Sequence, residues 1–360
     1  MKIVTIVGTR PEFIRLSRIL PLLDKYSDHK IIHTGQNYDY NLDKVFFKNF
    51  KIRKPNYFLN AKKSFGNQLS IIFKKLEKIL VDIKPDRFLV LGDTNSSLSA
   101  IIAKRLGIPV FHMEAGNRQY NDIVPEEINR RLIDHSSDVL LPYTQRSCEN
   151  LIREGIERKK IFVTGNPIFE VMNFYEKEIN SSKILKKLDI TKKKYFLLTS
   201  HRQENVDDPI KLKSIIEILN NLVAIKKIPL IWPIHPRSKI RLNKVKIKYN
   251  KLIKFIPPVD FFDFSNLEKN CFCIITDSGT VQEEASILKK PNLIIRDTTE
   301  RPETIESGSS ILIGSKKQHI KKQIKIAVDL EGLEEEIKSY KVKNVSNKII
   351  KILFSKYDFD

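Results

Sequence analysis

Cysteine is scarce in this sequence of 360 residues, and the three present are Cys148, Cys271 and Cys273. An odd number of thiols in a long chain argues against a disulfide framework and indicates a reducing compartment, so we expect a cytoplasmic protein. No apolar run approaches the ~18–20 residues that a membrane-spanning helix needs. Met1–Gly8 is a short apolar strand pattern followed by a charged helical one, so we expect no signal peptide and no membrane partner.

Acidic residues are too few to balance the basic ones: 43 Asp and Glu against 64 Lys and Arg give a formal net charge of +21. A surplus of this size fits a nucleic acid, an anionic surface or a phosphorylated substrate, or simply lysines on solvated faces. The densest basic run, Arg237–Lys254, has eight Lys and Arg, no acid and one Tyr. Nucleic-acid binding needs aromatic residues interleaved with the basic ones or a recognition helix, so we expect no nucleic-acid partner.

Several signatures of metal and cofactor chemistry are also missing. The chain has no His-Glu-x-x-His for zinc, no Gly-x-Ser-x-Gly nucleophile turn and no Walker lysine loop. The turn after the first apolar run contains one glycine, Gly8, which is too few for a dinucleotide fingerprint. Cys271 and Cys273 lie two apart in a predicted strand, where they share one face as core thiols do. We therefore expect no metal and no cofactor.

Short apolar runs alternate with longer amphipathic ones from the first residue onward. Such alternation predicts the α/β class, with a parallel sheet covered by helices on both faces. The predicted strands are Lys2–Val7, Lys30–His33, Arg87–Leu91, Pro109–His112, Val139–Pro142, Ile161–Val163, Tyr195–Thr199, Leu230–Ile234, Ile253–Ile256, Cys271–Thr276 and Asn292–Ile295. The predicted helices are Glu12–Lys25, Gln68–Ile83, Ser96–Leu106, Glu126–His135, Thr144–Glu154, Pro209–Val223, Phe261–Leu267, Val281–Leu288 and Gln318–Leu330.

The two series of predicted strands indicate two domains. The polar segment Phe169–Lys194 separates the series and is predicted to connect them. We expect two Rossmann-like, doubly wound domains that face each other across a cleft: residues 1–167, completed by a C-terminal helix at 345–360, and residues 168–344. No fixed-period repeat is present, which excludes a solenoid. In this architecture, ligands bind at the carboxyl ends of the strands.

Carboxylates follow the predicted strands of the first half. Asp93 follows Arg87–Leu91, Glu114 follows Pro109–His112, and Glu126 opens a helix together with Glu127. Asp93 could be a plain helix N-cap, and acids in a first helical turn are favoured by the helix dipole. If the three acids converge on one cleft, they form an acid/base system whose pKa values are spread by mutual repulsion.

Two turns look suited to an anion. The first strand ends at Gly8 before a helix, with Arg10 and Arg15 directed to the same entrance; a tight turn with a surface arginine is the plain alternative. In the second half, the strand ending at Thr276 enters a Ser-Gly-Thr turn and a helix, where free N–H groups and hydroxyls can hold a phosphate. Arg296 and Arg301 on the next loop strengthen this interpretation. His201 follows another strand, where it could act as an acid, contact a phosphate or have a purely structural role.

Seven motifs occur in one order along the chain. They are Gly8–Glu12, Gly92–Thr94, His112–Gly116, Pro125–Arg130, His201-Arg202, Thr276–Glu284 and Arg296–Glu303. Together they resemble the non-hydrolysing UDP-N-acetylglucosamine 2-epimerase family over nearly the whole chain.

The resemblance implies a fold, an activity and a set of site residues. The fold is two Rossmann-like domains in the glycogen phosphorylase (GT-B-type) arrangement, usually in a homodimer. The activity is inversion of C2 of a UDP-sugar through elimination of UDP to a 2-acetamidoglucal and its return, without a cofactor, for precursors of cell-surface polysaccharides. By motif, the implied catalytic residues are Asp93, Glu114, Glu126 and His201. The implied UDP-sugar contacts are Arg10, Arg15, Phe264 (by the uracil), Ser278, Gly279, Thr280, Glu284 (on the ribose hydroxyls) and Arg301.

The sequence departs from the family pattern at several positions. Arg15 stands where many members have Lys, and Thr280 replaces a common second glycine. Gln36–Tyr40 differs from the Gln-His-Arg type of members that a second UDP-sugar activates. That segment, Glu114–Arg118 and Leu141–Thr144 look more like the branch that acts on UDP-2-acetamido-2,6-dideoxy-L-talose to give UDP-N-acetyl-L-fucosamine. This sugar is one alternative, and a GT-B-fold glycosyltransferase with a UDP-sugar donor is an alternative of another class.

Overall fold

Two parallel sheets, each of six strands, organise the chain. The computed structural model describes residues 1–36, 47, 49–62, 64–200, 208–234, 239–242, 248–314, 320–330 and 334–357. Its chain forms two compact units: unit 1 is Met1–Val171 with Lys338–Asp360, and unit 2 is Met172–Ile337.

Both sheets have the same strand order relative to the chain. The order is β3-β2-β1-β4-β5-β6 in unit 1 and β12-β11-β10-β7-β8-β9 in unit 2, so the first strand of each unit lies in the middle of its sheet. The chain therefore reverses its winding direction between β1 and β4, and again between β7 and β10, which are the switch points where such folds bind ligands. The strands are β1 (Lys2–Val7), β2 (Asp28–His33), β3 (Tyr57–Phe58), β4 (Arg87–Leu91), β5 (Val110–Met113), β6 (Val139–Leu141), β7 (Phe196–Thr199), β8 (Leu230–Pro233), β9 (Ile253–Ile256), β10 (Cys273–Thr276), β11 (Asn292–Ile294) and β12 (Ser310–Leu312).

Helices connect the strands and cover the sheets. They are α1 (Arg10–Leu16), α2 (Leu20–Tyr26), α3 (Phe65–Ile83), α4 (Ala100–Arg105), α5 (Pro125–His135), α6 (Gln145–Arg153), α7 (Pro167–Phe174), α8 (Glu176–Ser181), α9 (Ile184–Lys187), α10 (Pro209–Lys226), α11 (Phe261–Asn270), α12 (Gly279–Ile287), α13 (Pro302–Glu306), α14 (Ile320–Asp329) and α15 (Val345–Phe354). Among the described residues, no helix combines the length and the apolarity that crossing a bilayer requires.

Both faces of each sheet are buried, which explains the continuous apolar strands of the sequence. In unit 2, Phe196 and Leu198 of β7 pack with α10 on one face, whereas Leu197 packs with α11 and α12 on the other. In unit 1, Val4 and Ile6 of β1 pack against α3 and α4. The predicted fold class, two doubly wound α/β units with parallel sheets, is confirmed.

The C-terminal helix α15 packs in unit 1. The Ser346 N–H group donates to Glu170 Oε2 at 2.8 Å, and Arg87 Nη2 donates to the Ser355 carbonyl at 2.7 Å. The guanidinium of Arg87 also lies 5.1 Å from the centre of the Phe111 ring. An arginine on β4 thus ties the end of the described chain to the first sheet.

Several predicted elements are wrong in detail. The helix predicted over Glu12–Lys25 is two helices, because Pro21 has no N–H group to continue the helix that begins at Arg10. Ile161–Val163 is no strand, since only a single bridge joins Ile161 to Leu140. The predicted connector contains α7, α8 and α9. These helices were not predicted because, in such short segments, the helical repeat of apolar residues is weak. The edge strands β3 and β12 were missed because they have only two and three residues.

The prediction for the paired cysteines is also wrong. Cys273 begins β10 and packs with Phe196, whereas Cys271 precedes the strand and packs with Tyr195 and Leu267 on the other face of the sheet. The rule that residues two apart share a face applies within a strand, and Cys271 lies outside it. Both cysteines are buried, and neither forms a disulfide bond.

Candidate active site

The predicted site residues of unit 1 lie near the carboxyl ends of β1, β4 and β5. Because β4 pairs with both β1 and β5, the turns that follow these three strands are neighbours. These turns begin at Gly8, Gly92 and Glu114. The predicted acids Asp93 and Glu114 therefore stand on adjacent turns of one sheet edge.

Glu114 is held in place by a buried arginine. Its backbone has a φ of +68°, a left-handed conformation, and its side chain is only 9% exposed. The carboxylate forms an ion pair with Arg15, which is itself 3% exposed, and accepts a hydrogen bond from Asn117 Nδ2 at 3.3 Å. The Arg15 guanidinium lies 5.6 Å from the centre of the Tyr143 ring. A Cβ added to Gly92 would be 3.8 Å from Glu114 Oε2, so this carboxylate adjoins the turn that carries Asp93.

Asp93 is paired with helix α5. Arg130 donates to Asp93 Oδ2 from Nε at 2.9 Å and from Nη2 at 2.7 Å. Asn129 Nδ2 donates to the Asp93 carbonyl at 2.9 Å. The following helical turn is capped at Ser96 rather than at Asp93, so the plain N-cap alternative for this residue is wrong. Two charge-assisted hydrogen bonds from one guanidinium hold the Asp93 carboxyl group in place.

The two adjacent acids of α5 have different environments. Glu127 is fully buried and accepts hydrogen bonds at 3.1 Å from the N–H groups of Gln119 and Tyr120 and at 2.9 Å from Arg130 Nη1. Glu126 is half-buried and makes no hydrogen bond or ion pair with any residue that the structure describes. Arg130 thus joins Asp93 to Glu127, while Glu126 remains available for chemistry.

A buried network behind these acids joins β4 to β5. His112 Nδ1 contacts Asp134 Oδ1 at 2.8 Å, and its Nε2 contacts the Gly92 carbonyl at 3.0 Å. Arg118 Nη2 reaches Asp134 Oδ2 at 2.8 Å. Burial alone would raise the pKa of Asp134, but the hydrogen bond and charge of His112 and the charge of Arg118 hold it below its usual range. The network orients the two turns that carry Asp93 and Glu114.

A further buried acid, Glu12, links the turns after β1 and β4. It is 2% exposed and accepts hydrogen bonds from Gly8 N–H at 2.5 Å, Thr9 N–H at 3.4 Å and Thr94 Oγ1 at 2.8 Å. Burial raises the pKa of Glu12 from 4.5 to about 7, although hydrogen bonds from Thr94, Gly8 and Thr9 partly oppose the shift. Here Glu12 positions the two turns.

The turn at Gly8, which was predicted to bind an anion, lies very close to the neighbouring turns. A Cβ on Gly8 would lie 2.0 Å from Ser96 Oγ and 2.4 Å from Thr34 Oγ1, so only glycine allows the turns to approach so closely. Arg10 is half-buried beside this turn, whereas Arg15 is buried in its ion pair with Glu114. Arg15 is thus bound to a predicted site carboxylate, and the entrance predicted for the two arginines stays a prediction.

In unit 2, polar side chains meet at the carboxyl ends of β7 and β10. The hydroxyls of Thr199 and Thr276 are 2.6 Å apart across the two strands, and Ser200 Oγ donates to Asp277 Oδ2 at 2.9 Å. The predicted catalytic His201 comes next in the chain and lies outside the described residues.

Helix α12 begins at this edge of unit 2. Ser278 occupies its N-cap, is half-buried, and makes no side-chain capping hydrogen bond. A Cβ on Gly279 would lie 2.5 Å from Glu300 Oε1, which explains why a glycine follows Ser278. Thr280 is half-buried in the first turn. The N–H groups of such a first turn can receive an anion.

Ion pairs neutralise the arginines next to this helix. Arg301 is 3% exposed and donates from Nε to Glu283 Oε1, which is fully buried. Arg296 Nη1 donates to Glu300 Oε2 at 2.5 Å. Both arginines that strengthened the anion interpretation are thus bound to acids within unit 2.

The two remaining predicted contacts lie on facing helices. Glu284 is 4% exposed on the buried side of α12. Phe264 is half-buried on α11 and packs against the cluster that contains Leu267, Val281 and Ala285. Unit 2 thus contains the predicted contacts on α11, α12 and the loop before α13: Phe264, Ser278, Gly279, Thr280, Glu284 and Arg301. Unit 1 contains the others on α1, on the turns after β4 and β5, and on α5: Arg10, Arg15, Asp93, Glu114 and Glu126.

Sequence reasoning missed several buried partners. Arg130 belongs to the Pro125–Arg130 motif and follows Glu127 by three residues on a helix. This spacing could have predicted that the two side chains form an ion pair. Glu12 lies three residues after Thr9, which is the capping-box spacing. Asp134 has no local signal, since its partners are distant in sequence.

Because Glu12 is buried, we predict that the stability of unit 1 depends on pH. Because its pKa is higher in the folded state than the ordinary 4.5, folding takes up a proton, and the free energy of unfolding falls as pH rises from 4.5 to about 7. The loss amounts to about 3 kcal/mol. Glu12→Gln keeps an acceptor for the N–H groups and cannot ionise, so urea unfolding should show this loss reduced by about that amount. Glu149→Gln, the same change at an exposed site, should keep the wild-type profile; a Glu12→Gln profile parallel to wild type would contradict the assignment.

We predict that position 116, close to Glu114, tolerates no side chain larger than that of glycine. Its φ is +79°, and a Cβ would lie 2.2 Å from the Ser147 carbonyl oxygen. Gly155 has a φ of +87° with no atom within 4 Å of an added Cβ. In urea unfolding, Gly155→Ala should cost about 1 kcal/mol from backbone strain alone, and Gly116→Ala about 3 kcal/mol or more. Equal losses for the two variants would rule out the steric clash.

Comparison with known proteins identifies the family. The sequence profile described as UDP-N-acetylglucosamine 2-epimerase matches residues 23–354. A UDP-N-acetylglucosamine 2-epimerase of Methanocaldococcus jannaschii is 45% identical over 340 residues, covering 91% of this chain and 93% of that one. A crystal structure of the M. jannaschii UDP-GlcNAc 2-epimerase in complex with UDP-GlcNAc and UDP matches with a TM-score of 0.92 and 42% identity, covering 98% of this chain and 99% of that one.

A relative with a different sugar in its name is also similar. The UDP-2,3-diacetamido-2,3-dideoxy-D-glucuronate 2-epimerase of Pseudomonas aeruginosa is 36% identical over 326 residues, covering 89% of this chain and 90% of that one. These similarities give the glycosyltransferase alternative no support. The resemblance inferred from seven motifs is confirmed: the chain belongs to the UDP-N-acetylglucosamine 2-epimerase family and is an epimerase, an isomerase.

Proposed function

We propose that this epimerase interconverts UDP-N-acetylglucosamine and UDP-N-acetylmannosamine by inverting C2. The observation that carries the proposal is the edge of the unit 1 sheet, where Asp93 and Glu114 are paired with arginines and Glu126 stands without a partner among the described residues. The named substrates of the M. jannaschii and P. aeruginosa relatives are both UDP-activated amino sugars, which supports a substrate of this class.

The reaction balances without a cofactor. A carboxylate removes the C2 proton, the electron pair of that C–H bond forms the C1=C2 double bond, and the C1–O bond breaks as UDP leaves. The product of this step is 2-acetamidoglucal. In the return step, a UDP oxygen adds to C1, and C2 receives a proton on the opposite face. The C2 proton is barely acidic, so its removal needs a positioned base and a stabilised leaving group.

The three acids supply the groups that this chemistry requires. Inversion needs one group to take a proton on one face of C2 and another to deliver a proton on the other face. Asp93 and Glu114 lie beside guanidinium groups that hold their carboxyl groups in place. Glu126, half-buried and without a described partner, can approach a substrate without breaking an existing ion pair.

Unit 2 is proposed to hold UDP. The first turn of α12, with Ser278, Gly279 and Thr280, offers N–H groups and hydroxyls to the diphosphate. Glu284 accepts from the ribose hydroxyls and Phe264 packs by the uracil. Further proposed substrate contacts are Arg10, Arg15, Arg301 and His201.

Other expectations remain predictions. They are the domain boundaries at 167/168 and 344/345, the homodimer, the cytoplasmic location and the supply of cell-surface polysaccharide precursors. The sugar of the UDP-N-acetyl-L-fucosamine branch also remains an alternative, favoured by Glu114–Arg118 and Leu141–Thr144 in the sequence.

Isotope exchange at C2 tests the reaction. The protein is incubated in deuterated water with UDP-N-acetylglucosamine, and separately with UDP-2-acetamido-2,6-dideoxy-L-talose, and C2 is followed by NMR. We expect deuterium at C2 together with the C2 epimer for the first sugar, because the proton removed exchanges with solvent before return. Exchange with the talose derivative alone would instead assign the chain to that branch. No exchange with either sugar would overturn the proposal.

Glu114→Gln tests the catalytic set. The amide keeps the size of the side chain but cannot exchange a proton, so turnover should fall about 10²–10⁴-fold while the protein remains folded by circular dichroism. Glu149→Gln makes the same change at an exposed position of α6 and should leave turnover unchanged. Wild-type turnover in Glu114→Gln would remove this residue from the catalytic set.

A further inference from the structure

A row of side-chain hydrogen bonds in unit 1 leads from the start of helix α6 to the carboxylate of Glu114. Thr144, the N-cap of α6, donates from Oγ1 to Ser147 Oγ at 3.1 Å. Ser147 Oγ donates to Asn117 Oδ1 at 2.9 Å, and Asn117 Nδ2 donates to Glu114 Oε1 at 3.3 Å. We call this row of four residues the relay. All four are buried, so water does not compete for these bonds.

The direction of each bond in the relay is set by its two ends. The Glu114 carboxylate offers acceptors, so the amide of Asn117 turns its N–H groups to Glu114 and its oxygen to Ser147. At the other end, Thr144 Oγ1 accepts from the Ser147 N–H group at 3.1 Å, which leaves its hydroxyl hydrogen for Ser147 Oγ. Each hydroxyl therefore donates in the direction of Glu114.

The loop that carries Asn117 is fixed against two helices. The N–H group of Gly116 donates to Asp134 Oδ2 of α5 at 3.2 Å, and its carbonyl accepts from Asn150 Nδ2 of α6 at 3.0 Å. Arg118 Nη1 donates to the Asn117 carbonyl at 2.9 Å. Because residue 116 is a glycine, the loop lies close enough to α6 for Ser147 to reach Asn117.

Donors from different elements hold the two oxygens of Glu114. Arg15 of α1 pairs with Oε2, and Asn117 donates to Oε1. The last torsion of a glutamate side chain has only a weak preference of its own, so donors on both oxygens are needed to fix the plane of the carboxylate. The bond from Asn117 is the longest in the relay, and the orientation of its amide therefore depends on Ser147.

We propose that Asn117, held by Ser147, is a positioning residue for proton transfer at C2: it fixes the plane in which the Glu114 carboxylate meets the substrate. This inference rests on the proposed role of Glu114 in proton transfer. Asn117 acts through Glu114 and not on the substrate. A misplacement of about 1 Å in an active site can lower a rate about 10²-fold, so breaking the relay lowers kcat and leaves KM nearly unchanged.

Two variants break the relay at different bonds. Asn117→Leu keeps a similar side-chain volume but donates nothing to Glu114. Ser147→Ala removes the hydroxyl that holds the amide and leaves Asn117 itself intact. Asn173→Leu and Ser70→Ala make the same two changes at exposed residues of α7 and α3 and are the matched controls.

Turnover of the full chain is measured with the sugar that shows C2 exchange in the wild type, over a range of concentrations. Asn117→Leu should lower kcat about 10–10²-fold and Ser147→Ala about tenfold, while KM changes less than about twofold. The double variant should match Asn117→Leu instead of multiplying the two losses, because one break already disconnects Glu114 from α6. Both control variants should keep wild-type kcat.

Three results would overturn the inference. They are wild-type kcat in Asn117→Leu, a loss confined to KM, and losses that multiply in the double variant. Circular dichroism and urea unfolding show whether each variant is folded. If Asn117→Leu does not fold, the test is the comparison of Ser147→Ala with Ser70→Ala, and equal kcat values for these two variants would overturn the inference.

A failure of the proposed function gives a different pattern. Wild-type protein without C2 exchange on either sugar, or wild-type turnover in Glu114→Gln, overturns the proposed role of Glu114 and the positioning role together. Loss of turnover in Glu114→Gln with wild-type kcat in Asn117→Leu overturns the positioning role alone.

Discussion

The candidate site depends on one constraint: a charged side chain at the carboxyl end of a buried parallel strand needs a partner close by. In unit 1, arginines meet this need, since Arg15 pairs with Glu114 and Arg130 with Asp93. Removing one partner of such a pair leaves an uncompensated buried charge, so the arginines hold their acids in place. The acids can therefore stand at strand ends in a defined position, as proton transfer at a barely acidic carbon requires.

The two units apply the same topology to different chemistry. Both have their first strand in the middle of the sheet, so each has a switch point with a glycine-containing turn beside it. Unit 1 places acids and arginines there. Unit 2 places a helix N-terminus there and pairs Arg296 and Arg301 with acids. The first arrangement suits proton transfer, and the second suits the diphosphate and ribose of a nucleotide.

Sequence patterns predicted the regular parts of the fold and the positions of the site residues. The strand Lys2–Val7 was recognised because it is a short, mostly apolar run, and Asp93 and Glu114 because acids are unexpected just after such strands. Short edge strands such as Ser310–Leu312 were missed, since three residues carry too little periodicity. The break near Pro21 was missed because the apolar spacing continues across it.

The sequence by itself determined the α/β alternation, the family and the identity of the strand-end residues, because these depend on local order along the chain. Only the tertiary structure decided which acids have partners. Arg15 and Glu114 are 99 residues apart, and Arg130 and Asp93 are 37 residues apart. Burial and distance set whether a carboxyl is ionised, protonated or free to react, and both arise only when the strands are assembled into a sheet.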